Sequence, residues 1–310
     1  MFSAMTGSKN HRIPHTLWSL LTLSLLVSVV PASRASAAPP IATVVSTSEL
    51  ELRSCPTLQC QVIERLPLGA QVEVIDEGPG SFLQVEHDAV TGYASNLYLA
   101  TDPDNVPYLV EGEPGCQRVA WIFNIGVGFE PASGILDTLE EEQVSATMFV
   151  MGWWASEHPE ILKRIVDEGY PIGSHGNWPQ ELTGLSDSDV VTDLENAADA
   201  IEHATGKPPA PLFTPYAAAS DERVRAIVAA TGNLNVGWEV PAADYGADAT
   251  EDGVYGRVMD EIYDGAIAEL HLDGPASAES TGRALPLLVR DLRAQGYRFV
   301  TIPEMAEPCP

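Results

Sequence analysis

The sequence predicts an α/β chain in two parts, a small all-β barrel followed by a larger (β/α) barrel. Three observations carry that prediction. Residues 41–100 break into short runs (VIERL, QVEVI, FLQVEH) that alternate apolar with polar positions, the period-two pattern of half-buried strands. From Arg118 onward, short apolar runs alternate with longer amphipathic segments, which is the signature of a parallel sheet with helices outside it. Between the two parts, residues 101–117 (TDPDNVPYLVEGEPGCQ) are rich in Pro, Gly and acids and read as a linker.

The chain opens with a segment, 1–38, that has the form of a secretory signal. Lys9 and Arg12 give a positive start, Leu17 to Val30 is apolar, and Ala35-Ser36-Ala37 offers a cleavage site near Ala37-Ala38. The apolar run is shorter than the ~20 residues that a membrane span needs. The expectation is a secreted protein with no stable membrane anchor. In the small module, Pro67-Leu68-Gly69 and Gly78-Pro79-Gly80 mark turns between strands. In the larger part, 118–305, strand-like runs fall at 118–123, 146–151, 171–174, 211–214, 234–238, 266–271 and 298–302. Helices are expected at 131–142, 157–168, 187–204, 221–231, 250–263 and 280–295, with Asp187 and Asp221 as candidate N-caps. About seven such units over roughly 190 residues fit a closed barrel better than an open sheet.

The 310 residues carry 44 Asp and Glu against 16 Lys and Arg, a formal net charge of -28. Such a charge disfavours nucleic acid and anionic surfaces as partners. Four cysteines in an exported chain point to disulfides; of the three possible connectivities, Cys55–Cys60 with Cys116–Cys309 is favoured. The second bridge would clasp the barrel seam and close a very long loop, for which the chain-entropy account gives about 4–5 kcal/mol. No G-x-S-x-G elbow, Walker loop or H-E-x-x-H is present. A two-carboxylate site built from Glu130, Glu239 or Asp244 is not singled out by spacing.

Five stretches, RVAWIFNIGVG, GYPIGSHGNWPQELTGLS, PLFTPYAAAS, VGWEVPAADY and GAIAELHLDG, occur in the order and spacing of the polysaccharide deacetylase (NodB-homology) family of metal-dependent carbohydrate esterases, and the chain resembles that family. The resemblance implies an irregular (β/α) TIM-like barrel with its site at the C-terminal ends of the strands. It also implies a divalent metal held by a carboxylate and two His, a carboxylate base and a His acid. Asn124 stands at the base position, and Ile125 and Pro179 stand at two of the three metal-ligand positions, leaving His175. Phe213 replaces the Arg that orients the base, while Asp244 and His271 keep the late motif positions, with Tyr245 in place of Trp. The small module resembles the bacterial SH3-like domain through Leu52-Arg53-Ser54, Leu68-Gly69 and Gly92-Tyr93-Ala94-Ser95.

What this resemblance implies is an exported deacetylase-like protein, catalytically impaired, that binds cell-wall or other extracellular glycan through Trp178, Tyr216, Trp238 and Tyr245. Trp153-Trp154 serve either as packing or as groove rim. The SH3-like module would add wall-peptide binding. No resident cofactor is expected, and zinc or cobalt enters only if the metal site has been rebuilt. The alternative is an active deacetylase, a hydrolase of C–N or ester bonds in acetylated polysaccharide, that recruits Glu130, Glu181 or Asn177. A third reading is a structural or partner-binding protein without glycan affinity.

Overall fold

The computed structural model describes residues 39–102 and 105–309; the expected signal segment at 1–38 lies outside the described residues. The small module consists of β1 (Ile41–Val44), β2 (Glu49–Arg53), β3 (Val62–Pro67), β4 (Gln71–Glu77), β5 (Phe82–His87), β6 (Val90–Ser95) and β7 (Leu99–Ala100). They form one antiparallel sheet in the order β3-β2-β6-β5-β4-β1-β7. Period two sends Ala42, Val44, Leu50, Leu52, Val72 and Ala94 to one side, where they make the module's core. Gly92 is required at its place, since a Cβ there would stand 2.7 Å from Leu52 Cγ. The Cys55–Cys60 bridge is present in the β2–β3 loop, and Arg53 ties the same loop by donating from Nη1 to the carbonyls of Leu58 and Cys60, both at 2.9 Å.

The second sheet contains β8 (Tyr108–Leu109), β9 (Arg118–Ile125), β10 (Thr147–Val150), β11 (Ile172–Ser174), β12 (Leu212–Phe213), β13 (Leu234–Val236), β14 (Val240–Pro241), β15 (Ile267–His271) and β16 (Arg298–Val300). All are parallel, in the order β14-β15-β9-β10-β11-β12-β13-β8, with β16 on the first half of β9. Seven of these strands lie where the apolar runs put them. Strand β8 belongs to the stretch read as a linker, and just beyond it Glu111 bridges to Ala266 at the start of β15, so the sheet curls back on itself. The curled sheet is the (β/α) barrel that the sequence predicts.

Around it run α1 (Gly134–Glu141), α2 (Gly152–Glu157), α3 (Pro159–Asp167), α4 (Asp187–Thr205), α5 (Glu222–Ala230), α6 (Glu251–Glu261), α7 (Thr281–Ala294) and α8 (Ile302–Met305). Asp221 caps α5 as expected, accepting from Val224 N at 2.8 Å. The cap of α4 is Ser186 instead of Asp187; Asp187 is already helical and sets its charge against the positive end of the helix dipole. The short helix α2 was not expected, and no side chain caps it.

Alternation along β9 divides the core. Ala120 and Ile122 join Phe149, Leu212, Leu234 and Ile267 inside the barrel. Trp121, Phe123 and Ile125 join Leu139, Leu162, Leu285 and Leu288 between sheet and helices. The Cys116–Cys309 bridge is present, joining residues 193 apart in sequence. Beside it the Arg118 guanidinium donates to the carbonyls of Glu304 at 2.9 Å and Glu307 at 2.7 Å, so covalent and polar ties hold the same seam.

Candidate functional site

The C-terminal ends of the parallel strands gather Asn124, His175, Thr214, Asp244, Glu269, His271 and Asp273, all buried. Each arrives there for a local reason. Ile267, Glu269 and His271 are alternate residues of β15 and share its inward face, as Ile122 and Asn124 do on β9. His175 and Thr214 follow β11 and β12 directly, and Asp244 follows β14.

One chain of polar contacts crosses this end of the barrel. The Asn124 amide donates to Glu269 Oε1 at 3.1 Å and accepts from the Thr214 hydroxyl at 3.0 Å. That hydroxyl, with its proton given to Asn124, accepts from His175 Nδ1 at 2.8 Å. The His175 proton is thereby fixed on Nδ1, which leaves the lone pair on Nε2. Burial holds the His175 pKa down to about 3, with the Thr214 carbonyl opposing and His271 adding to the depression, so the ring is neutral. At the other end, His271 donates from Nδ1 to Asp244 Oδ1 at 2.7 Å and from its backbone N to Oδ2 at 2.9 Å, and Thr281 donates its hydroxyl to the same carboxylate. His271 Nε2 lies 3.5 Å from Glu269 Oε1. Burial alone would lower the His271 pKa; the Asp244 bond and the surrounding carboxylates override it and raise the value, favouring the imidazolium. Burial raises Glu269, with the Asp244 charge adding to the shift and His271 and Asn124 opposing it.

The family's metal does not fit these residues. Ile125 projects to the helix side of the sheet and packs with Ile135 and Leu136. Pro179 has no donor and sits exposed on the loop after His175. That loop is pinned to α4, where Asp193 accepts from Asn177 N at 2.8 Å and from Gln180 Nε2 at 3.1 Å. Among the described residues no group of three or more His, Cys, Asp or Glu is arranged to hold a metal ion. Single imidazoles without further ligands bind divalent metals weakly.

The expected aromatics divide. Tyr216 lies 6.3 Å from His175, and Tyr245, 61% exposed, lies 6.0 Å from His271. Trp178, 54% exposed, is parallel to Trp153 at 6.3 Å between ring centres, and Trp153 is followed by Phe129, again at 6.3 Å. Trp238 packs beside the barrel interior, away from that row. Trp153 is half-buried and also packs on the helix-side core, while Trp154 is fully buried packing. Of the acids considered as recruits, Glu130 lines a cleft beside Asp273, whereas Glu239 acts on Tyr108 and Tyr263. Glu269 was missed by motif reading, although counting by two back from His271 along the strand would have found it.

Comparison with known proteins agrees with this architecture. Residues 111–236 match the polysaccharide deacetylase family and residues 48–100 the bacterial SH3 domain; Asp244 and His271 lie beyond the matched stretch. The peptidoglycan-N-acetylglucosamine deacetylase PgdA of Listeria monocytogenes is 30% identical over 189 residues, 61% of this chain and 39% of that protein. The chain thus spans about two fifths of that relative's length. An uncharacterized 30.6 kDa protein of Geobacillus stearothermophilus is 26% identical over 196 residues, 63% of this chain and 72% of that one. Among solved structures, a wild-type CE4 family pseudoenzyme from Bacillus anthracis superposes with a TM-score of 0.59 at 28% identity, covering 64% of this chain and 68% of its own. A mutant of it is described as having restored enzymatic activity, with a TM-score of 0.59 at 28% identity over 64% of this chain and 70% of its own. By these matches the chain carries a bacterial SH3 domain followed by a polysaccharide deacetylase domain, and the second is similar in fold to CE4 family structures.

Proposed function

We propose that this protein is an exported, catalytically impaired deacetylase-like protein that holds cell-wall glycan instead of deacetylating it. The observation that carries the reading is the state of Asn124 at the base position. Its amide is bonded on both sides, to Thr214 and to Glu269, and an amide has no basic lone pair with which to take a proton from water near neutral pH. The His271–Asp244 pair keeps the arrangement of an acid, yet the carboxylate it faces, Glu269, is engaged by the Asn124 amide, and among the described residues no metal-binding group adjoins it. What remains useful at the mouth is surface: exposed Trp178 and Tyr245 offer ring faces against which sugar rings stack. Export rests on the residues 1–38 as read from sequence, and among the described residues no helix is long and apolar enough to cross a membrane. The SH3 domain would add contacts to wall peptide.

The test is paired. Acetyl release from N-acetylated peptidoglycan fragments is measured with added zinc or cobalt, alongside retention of the protein on the same insoluble glycan. No release above the blank, with retention reduced by Trp178→Ala, is the expected result. Release that disappears with chelator and with His271→Ala would replace this reading with that of an active deacetylase. Absence of both release and retention would favour a purely structural protein.

A further inference from the structure

Where the ends of β9 and β15 meet, a cleft of about 400 Å³ opens, lined among others by Gly128, Phe129, Glu130 and Asp273. Asp273 is 2% exposed. Its Oδ2 accepts from the backbone N–H groups of Gly126 at 2.8 Å and Gly128 at 3.2 Å, while its Oδ1 is buried with no hydrogen-bond partner among the described residues. The close approach is possible only because residue 128 is Gly, since a Cβ there would stand 1.8 Å from the Asp273 carbonyl oxygen. A buried carboxylate oxygen left without a donor costs free energy, and burial raises the pKa of this group to about 6. Among the described residues no Lys or Arg lines the cleft, the positive charge acting on Asp273 coming from His271, and Glu130 adds a second acid at the rim.

The wall of the cleft is Phe129, 50% exposed and held in place from behind. Its carbonyl accepts from Trp154 Nε1 at 3.2 Å, and its ring meets His158 edge-on at 4.8 Å. From Phe129 the row of rings continues through Trp153 to Trp178. The backbone bond from Trp153 N to Asn177 O, 3.1 Å, fixes the two tryptophan-bearing segments to each other.

A buried carboxylate with one oxygen unpartnered, a second acid, an aromatic face and a strongly negative chain together describe a site for a cation. We propose that this cleft takes the ammonium group of a glycan whose amino sugars have already lost their acetyl groups, with neighbouring sugar rings lying on the Phe129–Trp153–Trp178 row. The ammonium sits in the cleft facing the Phe129 ring and is drawn in by the charges of Asp273 and Glu130. An acetamido group is uncharged and turns a carbonyl oxygen toward the same acids, so it is disfavoured. The reaction class that must supply such a ligand is amide hydrolysis on the glycan, which is the activity named for the Listeria relative. This inference rests on the glycan-binding reading and refines it: the protein would recognise the product of deacetylation.

The experiment is calorimetry of the mature chain with a tetramer of β-linked glucosamine and with its fully N-acetylated counterpart, near neutral pH at about 0.15 M salt, where diffuse attraction is largely screened. The expected result is at least about tenfold tighter binding of the amine form. Asp273→Asn and Phe129→Ala should each abolish most of that preference. Phe129 is half-exposed, so its variant keeps the test open if Asp273→Asn fails to fold. Equal or tighter binding of the acetylated tetramer would overturn the amine inference and leave the glycan reading standing. Binding of neither would remove both. An amine preference unchanged in the two variants would assign it to overall charge and overturn the cleft as its site.

Discussion

Asn124 and Glu269 face each other inside the barrel, the amide of one donating to the carboxylate of the other at 3.1 Å. Asparagine is well suited to that place because its neighbour is a buried acid whose pKa burial already raises. Restoring the family's carboxylate with Asn124→Asp would put two carboxylates in one desolvated spot, where they cannot both ionise. The expected outcome is no gain of acetyl release and a loss of stability of about 3 kcal/mol above neutral pH. A carboxylate with a raised folded pKa is stabilised relative to the unfolded chain at low pH, and that contribution is lost as pH rises through the folded value. Urea denaturation of the variant should therefore show most of the loss at pH 8 and little of it at pH 4.5.

His175 makes the opposite prediction. Its folded pKa, about 3, lies below the ordinary value of 6.5, so the unfolded chain takes up the proton first as pH falls. Its stabilising contribution is fully present above pH 6.5 and drains away as pH drops toward 3. At pH 5 the loss from this one group amounts to roughly 2 kcal/mol. His175→Asn, which cannot titrate, should flatten the stability profile between pH 7 and pH 5 by about that amount relative to the parent. Equal slopes in the two proteins would show that the imidazole is not held neutral by burial.

The fold was legible because it is written in periodicities. Runs of two and of three to four residues alternate cleanly from Arg118 to Val300, and seven of the strands fall where those runs lie. What the pattern misses is short or irregular: β8 and β14 are two residues each, and α2 begins at a Gly with no side-chain cap. The site was legible in motif but not in direction. Asn124 and Ile125 are neighbours in one motif, yet adjacent residues of a strand project to opposite faces, so the first joins the polar network and the second the helix-side core. Trp153 and Trp178 stand out singly in the sequence, but the Phe129–Trp153–Trp178 row could not be read from it, because its rings come from segments about 25 residues apart that only the β9–β10–β11 order brings side by side.

The Cys116–Cys309 bridge joins the start of β9 to the end of the chain across 193 residues. Cross-linking so long a segment restricts the unfolded ensemble strongly, by about 5 kcal/mol in the chain-entropy account. The double variant Cys116→Ser, Cys309→Ser should unfold at a markedly lower urea midpoint, with its β9–β16 pairing the first to exchange amide protons. The Arg118 bonds to Glu304 and Glu307 carbonyls persist in that variant, so the barrel should still form. A midpoint unchanged within error would mean that the seam is held by packing and by Arg118 rather than by the disulfide.

Metal affinity follows from the same residues that decide the chemistry. His175 presents a neutral ring with its lone pair on Nε2, which is the form a divalent ion requires. The other two positions that complete a ligand set in the family hold a side chain buried among Ile135 and Leu136 and an exposed proline. One imidazole gives weak affinity, so titration of zinc or cobalt into the mature protein should show no site tighter than about millimolar. Pro179→His alone supplies a second imidazole on a loop already tied down by Asp193, and it should improve zinc binding modestly without acetyl release. Adding Ile125→Asp would bury a carboxylate in the helix-side core and should cost several kcal/mol, about 3–5 by analogy with uncompensated buried charges, before any metal repays it. A stoichiometric micromolar site in the parent protein, abolished by His175→Ala, would show instead that other residues complete the ligand set, and deacetylation of the glycan would then return as the leading function.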